Sequence, residues 1–299
     1  MSNPVSIKLF PLLFLGLISF ASSSIAARAE PSALATNDAS GLWRDVQESA
    51  IAARGARWIQ PQKARTVILD YPALQARLTP APMERTLAIN DSLVTLSLPM
   101  PGGGFAEFAM VESPIMEAAL AAKFPNIRTY AGKGLHDPSA SLRLDVTPIG
   151  FHAQVLTPAG DFFIDPYQIN DNSHYVVYFR KDHGESNKHY QCDTHGEDFH
   201  LAPNVLSDLQ RNPAGANLRT YRIAVAATPS YTNSFGGTVG NGLSGVVTMV
   251  NRVSGVYERE IALRLIVVAN NDAIIYTTAN PGPLPDPPNS PSSQIQTTI

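Results

Sequence analysis

The chain has 299 residues, 44% hydrophobic and 16% charged, which supplies a packed core and rules out wholesale disorder. Its 20 glycines and 24 prolines suit a turn-rich, β-containing protein better than a helical bundle. A net charge of −3 argues against nucleic-acid partners, and a single cysteine excludes an internal disulfide framework.

The first element is an address. Lys8 precedes an uncharged apolar run over residues 9–20, and a small, polar stretch follows, ending in Ala27-Arg28-Ala29. These are the three parts of a secretory signal, with cleavage expected after Ala29. The run is shorter than the roughly 20 apolar residues a spanning helix needs; the alternative is an uncleaved anchor. Cleavage would remove Lys8 and Arg28 and no acid, leaving 270 residues with a net charge of −5. No later stretch is long and apolar enough to cross a bilayer. The expected location is therefore secreted, periplasmic or extracellular, with no stable membrane span once the signal is removed.

Residues 30–65 read as a lead-in, with helical character over 42–56. From Thr66 the pattern turns to strands. Two apolar runs, 93–98 and 105–111, flank Pro101-Gly102-Gly103-Gly104 and predict a hairpin with a longer loop. Residues 113–123 predict a short helix capped by Ser113, with Pro114 at its first position and Pro125 after its end. Strands are predicted over 127–130, 141–147, 151–156, 162–167 and 175–179, with Pro-Gly turns between several of them. Residues 66–180 thus read as one antiparallel β-rich domain.

Residues 181–213 break the pattern: they are polar, His-rich and without apolar periodicity, as expected of a linker. A strand over 218–227 follows. Val239, Leu243, Val246, Val250, Val253 and Tyr257 then recur at helical spacing over about five turns. Ile261, Leu263, Leu265 and Val267 alternate on a further strand, and 273–276 predicts a shorter one. Strand, helix, strand is the opening of an α/β unit, but residues 214–280 are few for an independent core. Residues 281–299 are a proline-rich tail, with six prolines within 281–291. The expected fold class is α+β.

A resemblance enters at these residues. Leu218-Arg219-Thr220-Tyr221-Arg222-Ile223-Ala224-Val225-Ala226-Ala227-Thr228, then Tyr231-Thr232 and Gly236-Gly237-Thr238-Val239, resemble the opening of a reprolysin-like zinc metallopeptidase of the metzincin clan. So do Met249-Val250-Asn251-Arg252-Val253-Ser254-Gly255-Val256-Tyr257-Glu258-Arg259-Glu260, Ile261-Ala262-Leu263-Arg264-Leu265 and Asn270-Asn271-Asp272. Upstream, Pro114-Ile115-Met116, Leu120-Ala121-Ala122-Lys123-Phe124-Pro125, Pro148-Ile149-Gly150-Phe151-His152-Ala153 and Ile164-Asp165-Pro166-Tyr167 are similar to the propeptide region of bacterial secreted members. The resemblance implies a propeptide domain over 66–180 and the first part of a metallopeptidase domain over 214–280, incomplete in this chain. It also implies zinc, peptide-bond hydrolysis by a zinc-bound water with Glu as base, and a protein or peptide substrate. The zinc motif of such enzymes, H-E-x-x-H-x-x-G-x-x-H, is absent. His183-Gly184-Glu185 and His195-Gly196-Glu197 do not supply it, so no catalytic residue carries over.

Five of the seven histidines lie within 174–200, and His189-x-x-Cys192-x-x-His195 has ligand-like spacing. Three readings stay open: a metal site of Cys192, His189 and His195, a solvated linker, or, by the resemblance, Cys192 as a thiol that blocks the zinc of a proenzyme. Asp161 and Asp165 flank Phe162-Phe163-Ile164 and are expected in turn duty rather than acid–base work. Gly236-Gly237 is expected as a strand-to-helix turn rather than a phosphate cradle. The expectation is a secreted zinc metallopeptidase precursor whose zinc helix is missing here, leaving this chain inactive. The alternative is a secreted β-rich binding or inhibitory module without catalysis.

Overall fold

Alternating apolar and polar residues with glycine-rich turns give most of the chain its strands. The computed structural model describes residues 38–55, 57–183 and 217–282, so the predicted signal cleavage site at Ala29 lies outside them. The strands are β1 (Trp43–Asp45), β2 (Arg65–Leu69), β3 (Thr95–Pro99), β4 (Phe105–Glu112), β5 (Arg128–Gly134), β6 (Ser141–Thr147), β7 (Gly150–Leu156), β8 (Phe162–Pro166) and β9 (His174–Phe179). They form one sheet in the spatial order β1-β2-β9-β8-β7-β6-β5-β4-β3, and neighbouring strands are antiparallel.

The sheet curls until its two edges approach. Trp43 Nε1 on β1 donates to the Ser97 carbonyl on β3 at 2.8 Å. Arg65 on β2 donates to the carbonyls of Met100 and Gly104 at 3.0 and 2.7 Å, across the hairpin that joins β3 and β4. The result is nearly a barrel. Its inner face follows the period-2 rule: Leu142, Leu144 and Val146 on β6, and Phe151, Ala153 and Val155 on β7, point into one buried cluster. Trp43, Phe151 and Tyr175 meet edge to face there, with ring centroids 5.7–5.9 Å apart. Helix α1 (Tyr71–Leu78) adds Leu74 and Leu78 to this cluster; Asp70 caps it by accepting from the Ala73 amide.

The remaining elements are helices α2 (Ala118–Lys123) and α3 (Pro229–Ser234), the long helix α4 (Val239–Ile261), and strands β10 (Arg219–Ile223) and β11 (Leu263–Val267). β10 and β11 are parallel, with Arg219 opposite Leu263 and Ile223 opposite Val267, so the strand-helix-strand expectation is met. The architecture is α+β.

Several local expectations are corrected. Of the stretch 42–56, the described residues 42–55 are not an α-helix. They hold β1 and a 3-10 turn over Glu48–Arg54, because pairing of Trp43 with Leu69 extends the sheet into the predicted lead-in. The helix expected from Ser113 starts only at Ala118. Ser113 instead pairs with Thr129, and Ile115 and Glu117 bond to Val267, so strand pairing overrides the capping signal. The strand expected over 218–227 ends at Ile223. Ile261 remains helical, and the turn after α4 is made by Ala262 at φ 52°. In place of a strand over 273–276 there is a 3-10 turn, Asn271–Ile274, and a single bridge between Ala227 and Ile275.

Candidate functional site

The long helix is placed by two caps and a close approach. Thr228 Oγ1 accepts from the Tyr231 amide and starts α3; Thr238 Oγ1 accepts from the Asn241 amide and starts α4. Gly236 and Gly237, at φ 102° and 80°, make the turn between them. That turn joins two helices rather than a strand and a helix, because the Thr228 cap and Pro229 at the first helical position start α3 ahead of it. A Cβ on Gly245 would stand 2.8 Å from the Phe235 ring and the Tyr231 hydroxyl, so α3 and α4 pack at backbone distance.

One face of α4 is apolar. Leu243, Val246, Val247 and Val250 bury themselves with Ala227, Val267 and Ile275. The same cluster contains Ile115, Met116, Leu120 and Ile127, which come from the chain between β4 and β5. At roughly 1.5–3 kcal/mol for each fully buried aliphatic side chain, these four supply a large share of the apolar stabilisation around α4.

The other face of α4 lies on the outer face of β6, β7 and β8, and the seam is polar. Thr248 Oγ1 donates to Asp145 Oδ1 at 2.8 Å, and His152 Nδ1 lies 2.9 Å from the same oxygen. Asn251 Nδ2 donates to the Leu144 carbonyl at 3.0 Å. Arg252 Nη2 donates to Asp165 Oδ1 at 2.6 Å, and the Tyr178 hydroxyl donates to Asp165 Oδ2 at 2.8 Å. Arg143 pairs with Glu258 and donates to Ser113 Oγ at 2.7 Å. Arg264 joins Glu258 to Glu84, contacting both Glu84 oxygens at 2.8 Å. Gly255 sits where a Cβ would meet Arg143 Cγ at 2.8 Å, so helix and sheet touch closely here.

The ionisation of the seam follows from this geometry. Burial alone would raise the Glu84 carboxyl, but hydrogen bonds from Arg264 and Ser113 and the charges of Arg264 and Arg143 outweigh it and hold Glu84 below its ordinary 4.5. A carboxylate depressed in the folded state contributes stability above its unfolded pKa. That contribution fades as pH falls from about 4.5 toward the folded value. Glu84→Gln is expected to flatten the fall of the thermal midpoint below this pH. Identical pH profiles for variant and wild type would refute the assignment. Burial also pushes the phenol of Tyr178 up, with the Asp165 charge adding to it, so it is the neutral donor in the seam.

The predicted site residues divide cleanly. Cys192, His189 and His195 lie outside the described residues. Asp161 does perform turn duty, accepting from the Thr157 amide at 3.1 Å. Asp165 does not: it faces outward on β8 and holds Arg252 of α4. Among the described residues, no group of three His, Cys, Asp or Glu side chains could hold a metal ion. In the seam, the pair of Asp145 with His152 is joined by Thr248. The seam residues Arg143, Asp145, His152, Gln154 and Asp165 had no distinctive sequence signal, since outward polar positions on a strand read as solvent-facing. The small and polar side of α4, with Ser244, Thr248, Asn251 and Gly255, was the available hint.

Residues 217–296 match the family model described as metallopeptidase family M12B, reprolysin-like. No curated protein matches the chain. The match covers β10, α3, α4 and β11 together, the unit that the barrel grips through the seam. Over these residues the chain is similar to the reprolysin-like metallopeptidases of family M12B.

Proposed function

We propose that this chain belongs to a secreted zinc metallopeptidase precursor, in which the barrel of residues 38–183 is the propeptide-like part that holds the reprolysin-like segment. The observation that carries the reading is the match over 217–296, which falls on a capped parallel strand-helix-strand unit. The substrate class is a protein or peptide. In this reading the product of export begins at Glu30, after cleavage at Ala29. Mass spectrometry of the exported chain checks this, and a product retaining Lys8 would contradict it.

The zinc of the family does not fit the described residues, which offer no set of three ligands, and the 299 residues contain no H-E-x-x-H. No hydrolytic step is therefore assigned to them. The expected result is that purified 30–299, supplied with zinc, shows no chelator-sensitive cleavage of casein. Such cleavage by a contaminant-free preparation would overturn this. The precursor reading itself is tested at the transcript. An in-frame H-E-x-x-H downstream of Ile299 supports it. Transcripts that lack the motif favour a β-rich binding or inhibitory module instead.

A further inference from the structure

Two parts of the chain, residues 38–183 and 217–282, meet through three kinds of contact. The first is backbone pairing. Ile115–Glu117 runs parallel to the end of β11: the Val267 amide donates to the Ile115 carbonyl at 2.7 Å, and the Glu117 amide to the Val267 carbonyl at 2.9 Å. The second is apolar. Ile115, Met116, Leu120 and Ile127 complete the cluster around Leu243, Val246, Val247 and Val250, and Ile115 and Leu120 are essentially inaccessible to water. The third is charged. The Glu117 carboxylate accepts from Arg222 Nε on β10 at 2.5 Å and from the Ala269 amide just beyond β11 at 2.8 Å, tying both strands to the segment Ile115–Glu117.

These contacts differ in what they give. The ion pairs of the seam set position more than strength, because desolvation offsets much of their attraction. Strand addition to a sheet edge combined with a shared apolar core is a mode by which separate chains bind one another. The apolar cluster around α4 is incomplete without side chains from the other part. Separation would expose those of Leu243, Val246, Val247 and Val250 to water, a loss that covalent continuity through residues 184–216 does nothing to prevent.

We infer that the two parts remain bound to each other when the chain between them is cut, and that Ile115–Glu117 with helix α2 is the latch. The inference rests on the interface alone and stands whether or not the protein is a peptidase precursor. The latch is a surface that recognises the open edge of a short parallel sheet and the apolar face of the helix packed on it.

The test uses the full exported chain with a recognition site for a sequence-specific protease placed within residues 184–216. After complete cutting, shown by two bands on a denaturing gel, the pieces are run on a sizing column in native buffer. The expected result is one peak at the mass of the uncut chain; two peaks would overturn the inference. Ile115→Asp places a charge inside the shared cluster and should give two peaks after cutting, while the near-ultraviolet circular dichroism of the barrel, which contains buried Trp43, persists. Co-elution of the cut Ile115→Asp chain would remove the latch assignment. Glu117→Ala leaves the buried cluster intact, so folding is not at stake. It should weaken reassociation of the cut pieces by ~tenfold, the scale for losing a charge-assisted hydrogen-bond pair. Unchanged affinity would likewise refute the role of Glu117.

Discussion

Trp43→Ala is expected to lower the stability of the folded chain by about 3–5 kcal/mol, the range for truncating a large buried aromatic side chain. Trp43 is 1% exposed and packs edge to face against both Phe151 and Tyr175. It also spans the near-closure of the barrel, since its indole N–H donates to Ser97 on the opposite edge strand. The substitution therefore leaves a cavity among aromatic rings and removes a bond that joins the first and last strands of the sheet. Trp43→Phe keeps most of the volume and loses the donor, so it should cost about 1–2 kcal/mol more than packing alone predicts. Denaturant titration followed by far-ultraviolet circular dichroism measures both. A loss below about 1 kcal/mol for Trp43→Ala would mean that the edges do not depend on this side chain.

Asp165→Ala is expected to cost about 2–4 kcal/mol. Asp165 is the shared acceptor of Arg252 and Tyr178, and its side chain is 3% exposed. Its removal leaves a guanidinium and a phenol facing each other without the charge that holds them, and stranding one member of a buried pair is the costly case. The Arg252 side chain keeps 23% exposure and also stacks over Phe163 at 5.1 Å, which places the expectation at the lower part of the usual range for such a loss. Removing both charges, as Asp165→Leu with Arg252→Met, should recover the part of the loss that comes from the stranded guanidinium, while the buried Tyr178 hydroxyl still lacks its acceptor. The pair's net contribution is small once both charges are absent. The comparison of single and double variants by thermal unfolding separates a positioning pair from a purely stabilising one. A double variant no better than Asp165→Ala would argue against this account.

The contrast between the two residues bears on what could be read in advance. Trp43 stood in a stretch read as a lead-in with helical character, and Asp165 was read as a turn residue. Neither role is local. The hairpin of β3 and β4, the strands from β5 to β9, and the long helix α4 were legible because period 2 and period 3.6 are properties of the neighbouring sequence. So was the reprolysin-like character of the segment that follows, carried by a collinear run of residues from Leu218 to Asp272 and matched over 217–296.

Other features were decided only when distant strands met. Ser113 and Pro114 carry a good helix-start signal, yet the chain there is extended because the edge of β11 offers hydrogen bonds to Ile115 and Glu117. The alternation in Ser141-Leu142-Arg143-Leu144-Asp145 correctly indicated a strand. It could not reveal that the polar face is covered as well, since a partner helix more than 100 positions away leaves no periodic trace in the strand it covers. The sequence by itself determined the α+β class, the parallel strand-helix-strand unit and its family resemblance. The tertiary structure decided that the sheet curls until Trp43 reaches Ser97, and that α4 joins the barrel through a polar seam on one face and a shared apolar core on the other. Local pattern is fixed by backbone geometry over a few residues. Which faces meet is fixed by the burial and hydrogen bonding that distant segments can satisfy only together.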